Sequence, residues 1–128
     1  MLSNTQRTLR YIKEQGWVAE IVERFNPYAG RFGKRKDLFG IIDIIALGDN
    51  SIIGIQSTGQ AFRKHEDKIL NEPMAREWLK SGGRLMLIGW RKVKLFRGSR
   101  AMRWEPKIKE YRYKDLLIKR LNNKNKKL

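Results

Sequence analysis

An aspartate set among isoleucines is the first place in this chain where chemistry could begin. Asp43 lies inside DLFGIIDIIALGDNSIIGIQSTG, residues Asp37 to Gly59, the most apolar stretch of a polar chain. A carboxylate in such surroundings costs several kcal/mol unless it is paired, protonated or bound to a metal. Further along the same stretch, Gln56 and Thr58 share parity, so in a strand they project from one face. A hairpin joining the two halves would bring that face beside Asp43. An acid, an amide and a hydroxyl would then converge on one side of a sheet.

The elements that must position them are two adjacent core strands, residues 38–47 and 51–58, joined by the turn Gly48-Asp49-Asn50. Ile41, Ile42, Ile44, Ile45, Ile52, Ile53 and Ile55 are β-branched and suit a pleated surface. Gly, Asp and Asn tolerate positive φ or bond their own backbone, as a tight turn requires. Both parities of the first strand are apolar, the pattern of a strand covered on both faces.

Upstream, residues 3–15 read as a helix, with Ser3 and Gln6 as a capping-box pair, Leu9 and Ile12 as a short apolar stripe and Gly16 as a stop. Residues 17–25 read as a strand in which Glu20 and Glu23 have opposite parity, so at most one faces a site. Residues 26–36, NPYAGRFGKRK, read as a loop that interleaves Arg31, Lys34, Arg35 and Lys36 with Tyr28 and Phe32. Such interleaving suits a nucleic-acid backbone and its bases, and suits an ordinary solvated loop as well. Its direct run into Asp37 favours the first.

Downstream, helices are expected over 61–70 and 72–80, the second capped by Asn71, with Pro73 in its first turn and Met74, Ala75, Trp78 and Leu79 as its buried stripe. Residues 84–90 read as a third core strand, 93–96 and 102–113 as outer strands, and 113–121 as a closing helix. Trp90 and Trp104 stand among Arg91, Lys92, Arg97, Arg100 and Arg103 and fit either a core or a DNA-facing surface. This order defines an α/β or α+β domain over residues 1–121, a mixed central sheet flanked by helices. Residues 122–128, NNKNKKL, are expected to be a basic, disordered tail.

Lysine and arginine number 29 against 13 acids, a formal charge of +16 over 128 residues. A surplus of that size favours a polyanionic partner through counterion release, nucleic acid before a membrane surface. No run of about eighteen apolar residues spans a bilayer, and MLSNTQRTLR lacks an apolar signal core. There is no cysteine, hence no disulfide framework or thiolate metal site. A cytoplasmic protein is expected.

Three steps occur in order along residues 3–70: Gly16-Trp17 into a strand, Asp43-Ile44-Ile45-Ala46, then Ile55-Gln56-Ser57-Thr58-Gly59 before a helix. In order and spacing this resembles the restriction-endonuclease-like superfamily, the PD-(D/E)XK nucleases, and within it the archaeal-type and phage Holliday junction resolvases. The active-site letters match in part. Asp43 stands where that family's metal-binding Asp stands, Gln56 replaces its second acid, Thr58 its lysine and Ile42 the usual proline. Gln6, Arg7 and Thr8 occupy the region of the first helix's acid.

The resemblance implies a restriction-endonuclease-like core and Mg²⁺- or Mn²⁺-assisted hydrolysis of phosphodiester bonds in DNA, branched DNA above all, by a homodimer. Asp43, the Gln56 carbonyl and the Ser57 backbone carbonyl would supply oxygen ligands. Glu23 and Asp37 are the best candidates for a further carboxylate, with Glu20 and Glu14 behind them, so the catalytic set would be Asp43, Gln56, Thr58, Glu23 and Asp37. Lys36, Lys64 or the lone His65 would stand in for the missing lysine. Arg31, Lys34, Arg35, Lys36, Arg63 and Lys64 would bind nucleic acid. The alternatives are a nuclease-like fold that binds nucleic acid without cutting it, and an RNA-binding or ribosome-associated basic protein.

Overall fold

The computed structural model describes residues 2–116. The first helix, α1 (Asn4–Glu14), begins at the expected capping box: Ser3 Oγ accepts from Gln6 N, and the Gln6 side chain accepts from Ser3 N. It stops before Gly16, whose φ is +81°. Ile12 is its buried anchor. Beyond it the chain builds a five-stranded mixed sheet and a small separate ribbon.

The expected strand over 17–25 is two strands. β1 (Val18–Ile21) lies at the edge of the main sheet, and β2 (Arg24–Asn26) pairs with β3 (Lys34–Lys36) in the ribbon. The break falls where the Val22 and Glu23 amides both donate to the Asp43 carbonyl. That bond turns the chain out of the sheet. The expected loop over 26–36 is therefore a β-hairpin arm, with Arg24 opposite Lys36 at its base.

The first core strand is also shorter than expected. Residues 38–42 form a tight turn closed by Leu38 N donating to Ile42 O, with Phe39 and Gly40 at positive φ. Ile41 and Ile42 are fully buried from that turn rather than from a strand. β4 (Ile44–Gly48) then runs into β5 (Ser51–Thr58) through Asp49 and Asn50, both at positive φ. This is the two-residue hairpin geometry that Asp and Asn tolerate.

After β5 come α2 (Phe62–Asn71) and α3 (Pro73–Lys80). The cap of α3 is Glu72, whose side chain accepts from Met74 N, and not Asn71, which ends α2 instead. β6 (Arg84–Lys94) and β7 (Met102–Tyr111) follow, and residues 113–116 begin a fourth helix. Of the expected outer strand 93–96, Val93 and Lys94 form the end of β6, and Leu95 and Phe96 lie in the bend that follows it. The rest of the expected closing helix and the basic tail lie outside the described residues.

The sheet order is β1-β4-β5-β6-β7, antiparallel except for the parallel β5–β6 pair that α2 and α3 cross over to make. Parity then sorts the core into two layers. Ile44, Ala46, Ile53, Ile55, Met86, Ile88 and Trp90 face α1. Leu85 and Leu87 face the opposite side, with Ile69 of α2 and Ala75 of α3. Trp78 and Leu79 pack into that second layer, as the α3 stripe predicts. Glu66 ties α2 to β7 by accepting from Tyr111 at 2.7 Å and pairing with Lys109 at 3.0 Å. No helix among the described residues is long and apolar enough to cross a membrane.

Candidate active site at Asp43

Asp43 precedes β4 directly and turns its side chain to the α2–α3 side of the sheet, where Gln56 and Thr58 also project from β5. Gln56 Nε2 donates to Asp43 Oδ2 at 3.2 Å, and Ser57 N lies 3.2 Å from both carboxylate oxygens. The acid, the amide and the hydroxyl thus share one face and one strand end. All three are buried, at 6 % exposure for Asp43, 4 % for Gln56 and 6 % for Thr58.

Two acids from outside the hairpin complete the surroundings. Burial is the main reason that the Asp43 carboxyl is pushed up to about 7, the Ser57 N–H opposes it, and the charges of Asp37 and then Glu23 add to it. Both arrive through the arm. Glu23 immediately precedes β2, and Asp37 immediately follows β3. The two legs of the basic ribbon are therefore rooted on the two acids that press on Asp43. Glu20 lies in β1, exposed, opposite Ile45, and Glu14 closes α1 on the other face. Of the two strand acids weighed by parity, Glu23 is the one whose charge reaches Asp43.

The first helix brings no acid to this side. Thr8 lies behind β5, its Oγ1 2.7 Å from Ser57 Oγ, and it accepts from Trp90 Nε1 at 2.8 Å. Ser57 Oγ also donates to Asn4 O at 3.2 Å. These bonds pin α1 to the strand that carries Gln56 and Thr58. Ser57 thus serves both faces: its side chain holds α1, and its N–H meets Asp43. A strand residue directs its N–H and carbonyl to the same neighbour, so the Ser57 carbonyl leaves β5 on the Asp43 side.

On α2, His65 and Lys68 stand one turn apart. Lys68 Nζ is 4.0 Å from the Asp37 carboxylate. Burial and the Lys68 charge lower the His65 pKa, and Asp37 acts the other way. His65 Nδ1 is buried without a hydrogen-bond partner. Lys68 is the cation that reading the chain missed. Its spacing from Lys64 and His65 places the three on one helix face, which was the available signal. Lys36 is exposed in β3, facing Arg24 across the ribbon.

The cationic candidates of the arm are all at its surface: Lys34, Arg35 and Lys36 in β3, and Arg31 in the preceding turn beside Phe32. Tyr28 and Phe32 are 94 % and 85 % exposed, so the arm shows aromatic rings and cations together. Arg63 and Lys64 lie at the surface in the first turn of α2.

The donor set fits a hard divalent cation by the chemistry of its atoms. The Asp43 carboxyl feels the charges of Asp37 and Glu23, and the Gln56 carbonyl oxygen, Oε1, is buried with no partner at all. Buried acceptors are normally satisfied, and a buried carboxyl under the influence of like charges is relieved by a cation. Among the described residues no three His, Asp or Glu side chains are close enough to hold a metal by themselves. Neutral oxygens and water would have to fill the remainder, which is the usual habit of Mg²⁺.

Comparison of the chain with protein families, with curated proteins and with solved structures finds no match.

Proposed function

We propose that this chain is a metal-dependent DNA endonuclease of the PD-(D/E)XK type, selective for branched DNA and acting as a homodimer on four-way junctions. The observation that carries the reading is the buried Asp43 carboxylate, pressed by Asp37 and Glu23, with the unpartnered Gln56 Oε1 on the same face. The resemblance of residues 3–70 to the junction resolvases supports it, as does the basic ribbon rooted beside the acids.

Asp43, Gln56 Oε1 and the Ser57 carbonyl would hold Mg²⁺ or Mn²⁺, with Asp37 and Glu23 as the neighbouring carboxylates. The bound metal would supply a nucleophile from water and offset charge on the phosphate. Asp43 has to be ionised to bind it, so the chain's own contribution is greatest above about pH 7. Thr58 is neutral and can offer a single hydrogen bond. Lys68, beside Asp37, supplies the cation that a lysine at position 58 would otherwise bring. The arm and the start of α2 hold the DNA backbone through Arg31, Lys34, Arg35, Lys36, Arg63 and Lys64.

A panel of junction, flap, duplex and single-stranded DNA, with Mg²⁺, Mn²⁺ or chelator, tests this reading. Cleavage of branched substrates is expected with metal only, and Asp43→Asn is expected to abolish it. Equal cutting by wild type and Asp43→Asn would place the chemistry elsewhere.

Two observations favour a second reading, a nuclease-like fold that binds nucleic acid without cutting. The carboxyl at the centre of the site is close to half neutral at pH 7, and the two positions that carry an acid and a lysine in the resolvases hold Gln56 and Thr58. That reading expects salt-sensitive binding in the same panel and no turnover with either metal.

A further inference from the structure

On the other face of the sheet, away from Asp43, Arg7 is a buried cation without an acid. Only 8 % of it is exposed, and its guanidinium lies 3.6 Å over the Trp104 ring. It donates to Asn4 Oδ1 at 3.2 Å. No carboxylate among the described residues pairs with it. A guanidinium has five N–H donors, so this one is held in place with donors to spare.

Arg7 forms the floor of an open groove between α1 and the β6–β7 hairpin, with Arg10 and Tyr11 on one wall and Trp90, Trp104 and Pro106 on the other. The hairpin reaches beyond the rest of the sheet, because β5 pairs with β6 only as far as Gly89. On its free part Lys92 stands opposite Trp104, and Lys94 opposite Met102. By parity these four share the α1 face with Trp90. The groove thus runs on as a track of cations alternating with flat or soft apolar side chains. The acids of the hairpin are spoken for: Glu105 pairs with Arg91, and Glu110 with Arg84. Glu14 is the one acid in the groove wall.

We infer that this groove is a single-stranded nucleic-acid subsite, in which a base stacks on the exposed part of Trp104 while neighbouring phosphates meet Arg7, Arg10 and Lys92. The chemistry points to a nucleotide strand before an acidic peptide. Trp104 remains 40 % exposed beside cations, and a base offers an aromatic face and a phosphate within one repeat. A carboxylate-bearing peptide has no use for the ring. The strand in this groove is separated by the full thickness of the sheet from the site at Asp43. Binding there does not depend on whether the chain cuts DNA.

The test is fluorescence anisotropy of a labelled oligothymidylate with the full chain in chelator, where hydrolysis does not enter. Trp104→Ala is expected to weaken binding about tenfold, the scale of one base–aromatic stack, and Trp104→Phe to restore most of it. Lys92→Ala and Arg10→Ala are each expected to lower the salt slope by about 0.7. Circular dichroism checks that each variant is folded. Affinity of Trp104→Ala within twofold of wild type overturns the subsite, as does equal competition by polyglutamate. Cleavage abolished in Asp43→Asn with no effect of the groove variants on binding would remove the subsite and leave the nuclease reading intact.

Discussion

Gln56 gives its amide N–H to Asp43 at 3.2 Å and keeps its carbonyl oxygen buried without a partner. One side chain thus steadies the acid and leaves a second oxygen beside it. Changing Gln56 to Glu adds a negative charge directly beside Asp43, whose carboxyl is already held above the usual range by burial. Without metal at about pH 8, Gln56→Glu is expected to lose about 1–3 kcal/mol of stability through like-charge burial. Millimolar Mg²⁺ is expected to recover most of it, because a ligand that binds only the folded state stabilises it. Thermal melts with and without Mg²⁺ check this, and a melt that ignores the ion in both wild type and variant argues against a cation at this position.

Asp43 makes the stability of the wild type depend on pH in a definite direction. Its folded pKa is about 7 against an ordinary 3.8, chiefly because it is buried. An acid shifted upward favours the protonated native state. The stability so gained is fully present below about pH 4 and is lost as pH rises to about 7. The full interval corresponds to at most about 4 kcal/mol. Asp43→Asn cannot ionise, so it is expected to exceed wild type by about 2 kcal/mol near pH 8 and to match it near pH 4. Urea midpoints at the two pH values read the difference directly. A gap that widens toward acid would reverse the assignment.

His65 is the only histidine in the chain, which makes its titration unambiguous. Burial and the nearby Lys68 hold it below the ordinary imidazole value, while Asp37 pulls upward. Its proton resonance is expected to titrate below pH 6.5, to move up in Lys68→Ala and to move down in Asp37→Asn. Shifts of the opposite sign in these two variants would show that α2 does not face Asp37 as described.

The arm formed by β2 and β3 is expected to carry duplex affinity through phosphates. Neutralising Lys34 and Lys36 together should reduce the salt slope of duplex binding by about 2, near 0.9 for each phosphate that is no longer neutralised. Stability should stay within about 0.5 kcal/mol, since both are exposed surface residues. Filter binding across a salt series makes the comparison, and an unchanged slope would take the arm out of the interface.

Much of the fold follows from local pattern. The capping box at Ser3 and Gln6, the Asp49-Asn50 turn and the β-branched run of β5 each act over a few residues, and each occurs where its residues are. The elements that differed are those settled by distant partners. The alternation in WVAEIVERF does not reveal that the Val22 and Glu23 amides bond to the Asp43 carbonyl, and that bond splits one expected strand into two. Nor does the isoleucine run before Asp43 show that Leu38 and Ile42 close a turn.

The amino-acid sequence by itself determined that Gln56 and Thr58 would share one face, because strand parity is a local rule. The turn of two residues, with Gly48 in β4 rather than in the expected three-residue turn, set the register that brings Asp43 to that face. The sequence also set the positive surface, which is a sum over side chains. Only the tertiary structure decided that Glu23 and Asp37 would flank Asp43, that Lys68 would stand beside Asp37, and that Arg7 would lie over Trp104. Those pairings join residues on separate elements. They depend on how the arm leaves the sheet and how the helices pack across it, through long-range contacts that no periodicity in the chain encodes.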